Sequence, residues 1–86
     1  MNNYNFNIID LNLSQLRSLF YKSQREVADV LKISKQLYSL KELGKVYFKD
    51  HEIEGLAKCF NLPNKIIDRI ILNKQTNKIK NIIEGV

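Results

Sequence analysis

Apolar residues recur at helical spacing in several separate stretches of this chain, with short polar segments between them. Residues three and four positions apart share one face of an α-helix, so this pattern predicts a series of short amphipathic helices. The first starts near Asn12, and either Asp10 or Asn12 could supply the oxygen that caps its first turn. Its apolar positions are Leu13, Leu16, Leu19 and Phe20. The first nine residues contain four Asn and no helical period, so we expect residues 1–10 to form a flexible N-terminal arm.

A capping box predicts the start of a second helix. Ser23 lies three residues before Glu26. In this motif the Ser hydroxyl accepts a hydrogen bond from a first-turn amide, and the Glu carboxylate accepts one from the amide of the Ser. The helix that follows places three apolar residues on one face: Val27, Ala28 and Leu31. The helix start given by the capping box and the apolar face formed by these three residues fit one and the same helix, which makes the prediction specific.

A third helix follows after a short interruption. Ser34 is placed to cap it, and we expect the helix to run from Lys35 to about Leu43, with Gly44 as its left-handed terminator. Two short capped helices separated by three or four residues form a helix-turn-helix. The pattern therefore predicts a helix-turn-helix over residues 24–43.

The second half of the chain predicts two more helices. The fourth begins at Lys49 or Asp50, and its apolar positions are Ile53, Leu56, Ala57 and Phe60. Pro63 lies in the polar break before the fifth, whose apolar positions are Ile66, Ile67, Ile70 and Ile71. No segment alternates as a strand does, so we expect an all-α domain over residues 11–72. A C-terminal extension, residues 73–86, carries a last stripe that predicts either a short extra helix or a dimer contact: Ile79, Ile82 and Ile83.

Positive charge is concentrated in the middle third of the chain. The 86 residues, enough for one domain, carry 14 Lys and Arg against 9 Asp and Glu, a formal net charge of +5. Residues 17–49 hold eight of the cations and three of the anions, so this segment alone accounts for the net charge. A local basic excess attracts polyanions, mainly nucleic acid or an anionic membrane face. Charge alone does not separate these partners from an ordinary solvated surface.

Composition argues against several other classes of protein. One Cys excludes an internal disulfide, and no apolar run approaches the roughly 18–20 residues of a membrane span. The N-terminus has neither the basic region nor the apolar core of a secretion signal, so we expect a cytoplasmic protein with no membrane partner. His51 and Cys59 have no metal-ligand spacing to other residues, and no nucleophile has a partner base. We therefore expect no enzymatic activity, no metal and no cofactor.

The helix-turn-helix segment and its flanks resemble the phage repressor/Cro-type (XRE-like) helix-turn-helix family. The matching positions are Leu16-Arg17, Ser23-Gln24, Val27-Ala28, Ile33-Ser34, Glu42-Leu43-Gly44-Lys45 and Leu56-Ala57. The likeness extends over roughly residues 13–70 and implies a five-helix DNA-binding domain that usually acts as a dimer. It also implies that Gln24 and Lys45 contact backbone phosphates. The resemblance further implies a partly buried ion pair between Arg17 and Glu42 that sets the angle of the recognition helix.

In such a domain the N-terminal residues of the second paired helix meet base edges in the major groove. With about 100° per residue and Tyr38 pointing inward, Gln36 and Leu40 point outward. Gln suits a bidentate contact with adenine, and Leu can pack on a thymine methyl group. The complete set of predicted DNA-contacting residues is Gln24, Ser34, Lys35, Gln36, Leu37, Ser39, Leu40 and Lys45.

Several positions depart from the family pattern. Leu40 stands where most members carry a polar or basic residue, and Lys41 stands where most carry an apolar one. We expect the stem of Lys41 to snorkel toward solvent while Leu37 covers the gap beneath it. Lys32 and Tyr21 occupy positions where Gly is common, and a left-handed backbone there has a modest cost.

These observations predict a sequence-specific, double-stranded DNA-binding transcriptional regulator of the repressor/Cro type. We expect it to bind an inverted repeat as a homodimer, at a phage, plasmid or similar locus, under control of its concentration or of a regulatory protein partner. One alternative is a protein-interaction module on the same fold, an inhibitor or accessory factor that uses Leu37 and Leu40. Another is the antitoxin of a toxin–antitoxin pair, which would still bind DNA.

Overall fold

Five α-helices and one short 3-10 helix make up residues 7–73, the part of the chain that this computed structural model describes. No strand occurs within that range, which confirms the prediction of an all-α fold. In chain order the elements are the 3-10 helix Ile8–Asp10, α1 Leu13–Leu19, α2 Gln24–Leu31, α3 Lys35–Glu42, α4 Asp50–Phe60 and α5 Asn64–Asn73. The predicted extra C-terminal helix and dimer contact lie outside the described residues.

Side-chain caps fix where the first two helices begin. Asn12, not Asp10, caps α1: its Oδ1 accepts from the amide of Gln15 at 2.8 Å, and Oε1 of Gln15 accepts from the amide of Asn12 at 2.9 Å. The predicted box at α2 is present, with Ser23 N to Glu26 Oε1 at 2.7 Å and Glu26 N to Ser23 Oγ at 3.0 Å. Both boxes satisfy amides that have no partner within the helix.

Left-handed residues end the helices or begin the turns between them. Gly44 follows α3 with φ of 84°, as the sequence predicts. Lys32 ends α2 at φ 60°, Asn61 ends α4 at φ 55° and Tyr21 follows α1 at φ 55°. Side chains with a Cβ adopt this conformation at a cost that Gly does not bear. Lys32 and Tyr21 adopt the left-handed backbone that the sequence resemblance implied, and each bears this cost.

The core lies where α2, α4 and α5 come together against α1 and α3. Its fully or nearly fully buried apolar members are Leu13, Leu16, Val27, Ala28, Leu31, Tyr38, Leu56, Ala57, Phe60, Ile67 and Ile70. Gly55 marks a close approach of α2 and α4, since a Cβ built there would stand 2.6 Å from Cδ2 of Leu31. Packing of α2 against both α3 and α4 holds the two paired helices on the rest of the domain.

The prediction of a flexible N-terminal arm is wrong for residues 7–10. The side chain of Asn7 caps the 3-10 helix, and that helix packs on α5. Asn73 fastens it there, because its Nδ2 donates to the carbonyl oxygens of Ile9 at 2.8 Å and Leu11 at 2.7 Å. A contact across more than sixty positions leaves no local pattern, which is why the sequence did not reveal it. Residues 7–10 therefore belong to the folded domain, together with the residues from 11 onward.

Candidate nucleic-acid interface

One side of α3 is anchored in the domain. Tyr38 is completely buried, and Lys41 and Glu42 are only 4% and 8% exposed. The helical count started from an inward Tyr38 and placed Gln36 and Leu40 outward; the burial of Tyr38 and the exposure of Gln36 and Leu40 agree with that phase.

The opposite side of α3 is open. Lys35 and Gln36 are exposed at its N-terminal end, and Leu40 is 41% exposed one turn after Gln36. Leu37 and Ser39 flank them and are half-buried. The structure thus leaves Gln36 and Leu40 on the side of α3 that faces away from the domain, with Lys35 exposed at its N-terminal end.

The remaining predicted contacts lie at the two ends of this surface. Ser34 is exposed and uses its hydroxyl oxygen to cap α3, accepting from the amide of Leu37 at 3.0 Å. Lys45 is exposed just after the helix terminator. Because α3 has only eight residues, both ends lie within about 12 Å of each other, at 1.5 Å per residue.

The predicted ion pair between Arg17 and Glu42 is present and joins α1 to α3. Arg17 Nε lies 2.9 Å from Glu42 Oε2, and Nη2 lies 3.2 Å from Oε1, a bidentate geometry. A further guanidinium nitrogen of Arg17 donates to the carbonyl oxygen of Lys22 at 3.0 Å. The same carboxylate accepts from the hydroxyl of Tyr38 at 2.7 Å.

Burial and hydrogen bonding shift the pKa of the Glu42 carboxylate in opposite directions. Burial raises the pKa of Glu42, but hydrogen bonds from Arg17, Tyr38 and Gln24 outweigh it and hold the pKa below its ordinary value. Its hydrogen bond to Glu42 raises the pKa of Arg17, and burial raises the pKa of the Tyr38 hydroxyl. Glu42 is therefore ionised at neutral pH and is a fixed acceptor on the inner face of α3.

Gln24 takes part in this cluster, which the sequence did not predict. Its Nε2 donates to Glu42 Oε1 at 2.9 Å. An amide nitrogen carries two hydrogens, so this bond uses one of them and orients the other. The arrangement holds the half-buried Gln24 at the start of α2, next to the N-terminal amides that favour anions.

A second ion pair corrects the expectation for Lys41. Its side chain does not snorkel: only 3% of it is exposed, and Nζ lies 2.6 Å from Oε1 of Glu52, which is equally buried. Nζ also lies 5.8 Å from the ring centroid of Phe48. Glu52 is the third residue of α4, and its Oε1 additionally accepts from the amide of Lys49 at 2.9 Å. No gap remains for Leu37 to cover, because the carboxylate of Glu52 on α4 meets the ammonium group of Lys41 in the interior.

The accessible charge of residues 17–49 is positive. Arg17 and Lys41 are each paired with a buried carboxylate. The other cations of residues 17–49 are exposed or half-buried: Lys22, Arg25, Lys32, Lys35, Lys45 and Lys49. The exposed acids of the same segment are Glu26 and Asp29. A positive excess of four thus remains available to an anionic partner.

The N-termini of α2 and α4 differ in how well they could bind a phosphate. α4 carries Asp50 and Glu52 in its first turn, whereas α2 carries Glu26, whose carboxylate is already bound to the amide of Ser23. The exposed Asp50 carboxylate repels phosphate, so the start of α2 is the better anion site.

Other chemistry finds little support in residues 7–73. No three or more His, Cys, Asp or Glu side chains in that range are grouped so that they could hold a metal ion. His51 is exposed, and burial raises the pKa of the half-buried Cys59 thiol, which disfavours a reactive thiolate. None of the described helices is both long and apolar enough to cross a membrane.

Comparison of the whole chain with protein-family models, with curated proteins and with solved structures found no match.

Proposed function

We propose that this chain is a sequence-specific double-stranded DNA-binding regulator of the repressor/Cro type. The observation that carries the proposal is the division of α3 into two sides. Tyr38 and Glu42 fix one side in the domain, while Gln36 is exposed on the other side and Lys35 is exposed at the N-terminal end of the helix. A short helix held in this way offers a defined set of side chains to the major groove.

Base recognition is assigned to the N-terminal half of α3. Gln36 can make two hydrogen bonds to one adenine, and Lys35 can donate to the acceptors of guanine or to a phosphate. Leu40, one turn further along, offers an apolar contact of the kind that favours thymine. Together these residues would read two or three neighbouring base pairs in each half-site.

Backbone contacts are assigned to residues around α3. Gln24 is oriented by Glu42 at the start of α2, and Lys45 is exposed beyond the end of α3. Contacts with phosphate fix the position of a protein on the duplex without reading its sequence. We assign these two residues to that role.

The proposal includes a homodimer on an inverted repeat, because two copies related by a twofold axis match two half-sites about one helical turn apart, roughly 34–36 Å. It also includes a cytoplasmic protein that controls a phage, plasmid or similar locus through its concentration or a regulatory partner.

Selection from a random duplex pool tests the proposal directly. The purified chain should enrich a short motif that occurs twice in inverted orientation, and its affinity should fall steeply as salt rises. Enrichment of no sequence, with equal weak binding to every duplex, would refute the proposal.

A protein-interaction module is the second candidate, and the exposure of apolar residues on α3 favours it. Leu40 and Leu43 are 41% and 44% exposed near the end of the helix. Stable capture of one protein in the absence of DNA, together with no motif enrichment, would select this alternative.

A further inference from the structure

The buried ion pair between Lys41 and Glu52 joins α3, to which we assign the base contacts, to α4. Lys41 belongs to the last turn of α3, and Glu52 belongs to the first turn of α4. One contact of 2.6 Å thus spans the connector between these helices, residues 43–49, which carries Lys45.

The pair is fully integrated into its surroundings. Oε1 of Glu52 accepts from both Nζ of Lys41 and the amide of Lys49, the last residue of the connector. The ring of Phe48 lies beside the ammonium group. No buried side-chain nitrogen or oxygen among the described residues lacks a hydrogen-bond partner, so the pair leaves no polar group unsatisfied.

Such a pair is a poor means of adding stability. Removing two charges from water offsets much of their attraction, and an apolar pair of similar volume often stabilises a protein as well or better. A charged hydrogen bond, unlike an apolar contact, is directional: it is strong only within a narrow range of distance and angle. The Lys41–Glu52 pair therefore contributes a fixed geometry between α3 and α4 rather than added stability.

We infer that the Lys41–Glu52 pair is a positioning device for DNA recognition. It fixes the orientation of α3 against α4. Lys45 moves with α3, because its amide donates to the carbonyl oxygen of Leu40 at 2.9 Å, so the pair sets the angle at which Gln36 and Lys45 together meet the duplex. This inference rests on the proposed function, and it adds two positioning residues that do not themselves touch DNA.

Replacement of the pair by uncharged side chains of similar size tests the inference. Lys41→Met with Glu52→Gln keeps the volume, and the Gln oxygen can still accept from the amide of Lys49. The probes are the duplex enriched by the wild-type chain and a shuffled duplex of the same composition. We expect this double variant to fold and to lose discrimination between the probes by about tenfold, the discrimination that one base pair typically carries.

Controls separate positioning from general stability. Ile67→Val removes one methyl group from a completely buried core side chain on α5 and should leave the discrimination ratio unchanged. A second double variant, Lys41→Leu with Glu52→Gln, places a differently shaped apolar side chain at the same site and should lose discrimination as well.

The outcomes are distinct. A folded double variant with the wild-type ratio would overturn the inference and leave the proposed function intact. Failure of both double variants to fold would also overturn it, because the pair would then be a requirement for folding. An equal loss in Ile67→Val would overturn it too, by tracing the effect to stability. If the wild-type chain enriched no duplex at all, the proposed function itself would fail first.

Discussion

The hydroxyl of Tyr38 donates a 2.7 Å hydrogen bond to the carboxylate of Glu42, one turn further along α3. Both side chains are almost completely buried. Arg17 from α1 and Gln24 from α2 donate to the same carboxylate, so the bond within α3 is the centre of a contact among three helices. The orientation of the proposed recognition helix depends on it.

Tyr38→Phe should destabilise the domain by about 1.5–3 kcal/mol, the usual contribution of a hydrogen bond to a charged group. The ring remains in place, so the change removes the donor without opening a cavity. Urea unfolding followed by circular dichroism measures the difference. Tyr47→Phe is the matched control, because Tyr47 is 89% exposed and its change should have no effect. Equal stability of both variants would show that the bond contributes nothing.

Acid should weaken the domain through its buried carboxylates. The pKa values of Glu42 and Glu52 lie below the ordinary value of 4.5, since the bonds to their ionised forms outweigh the opposing effect of burial. A carboxyl group with a lowered pKa in the folded state stabilises fully above its unfolded pKa, and this contribution is lost as pH falls through the folded value.

The free energy of unfolding should therefore be level above about pH 5 and should decline below the ordinary carboxyl pKa. Urea titrations at a series of pH values test this. In Glu42→Gln the slope of stability against pH in the acid range should become smaller, because one of the carboxyl groups with a lowered pKa is gone. A steeper slope in that variant would contradict the assignment.

Local patterns predicted the helices of this domain well, for reasons that the contacts make clear. The box at Ser23 and the cap at Ser34 each act within three residues, so their signatures are complete in the sequence. The outward positions of Gln36 and Leu40 followed from the helical period once Tyr38 was taken to point inward, and Tyr38 is completely buried.

Contacts between distant segments were harder to predict. Arg17 and Glu42 were found only because a family resemblance implied their pairing. Lys41 and Glu52 were missed, since a Lys on a helix flank is ordinarily solvated and nothing local points to its partner eleven residues later. The bond from Asn73 to Ile9 spans sixty-four positions and has no sequence signal at all.

Gln36→Ala tests the assignment of base contacts. It should weaken binding to the enriched duplex by about 1–3 kcal/mol and relax preference at one position of each half-site. Fluorescence anisotropy on the enriched and shuffled duplexes measures both effects. Since Gln36 is exposed, stability should not change. An equal loss on both duplexes would show that Gln36 does not read a base.

Lys45→Ala should weaken binding to all sequences about equally and lower the salt dependence by about one counterion per half-site. Plots of affinity against salt concentration for the enriched and shuffled duplexes give the two slopes. Lys58→Ala, an exposed Lys on α4, serves as the control for loss of one positive charge. Identical slopes for the two variants would remove Lys45 from the proposed interface.

Lys32→Gly should stabilise the domain even though it removes a side chain. Lys32 holds φ at 60° where α2 ends, and an L-residue pays roughly 1–2 kcal/mol for this conformation. Gly avoids that strain but loses more entropy on folding, so the net gain should be about 1 kcal/mol. The matched control is Lys58→Gly inside α4, where the same change should cost about 1 kcal/mol because the backbone is helical. Thermal unfolding of both variants should therefore show shifts of opposite sign. Destabilisation by both changes would mean that the turn between α2 and α3 imposes no strain on Lys32.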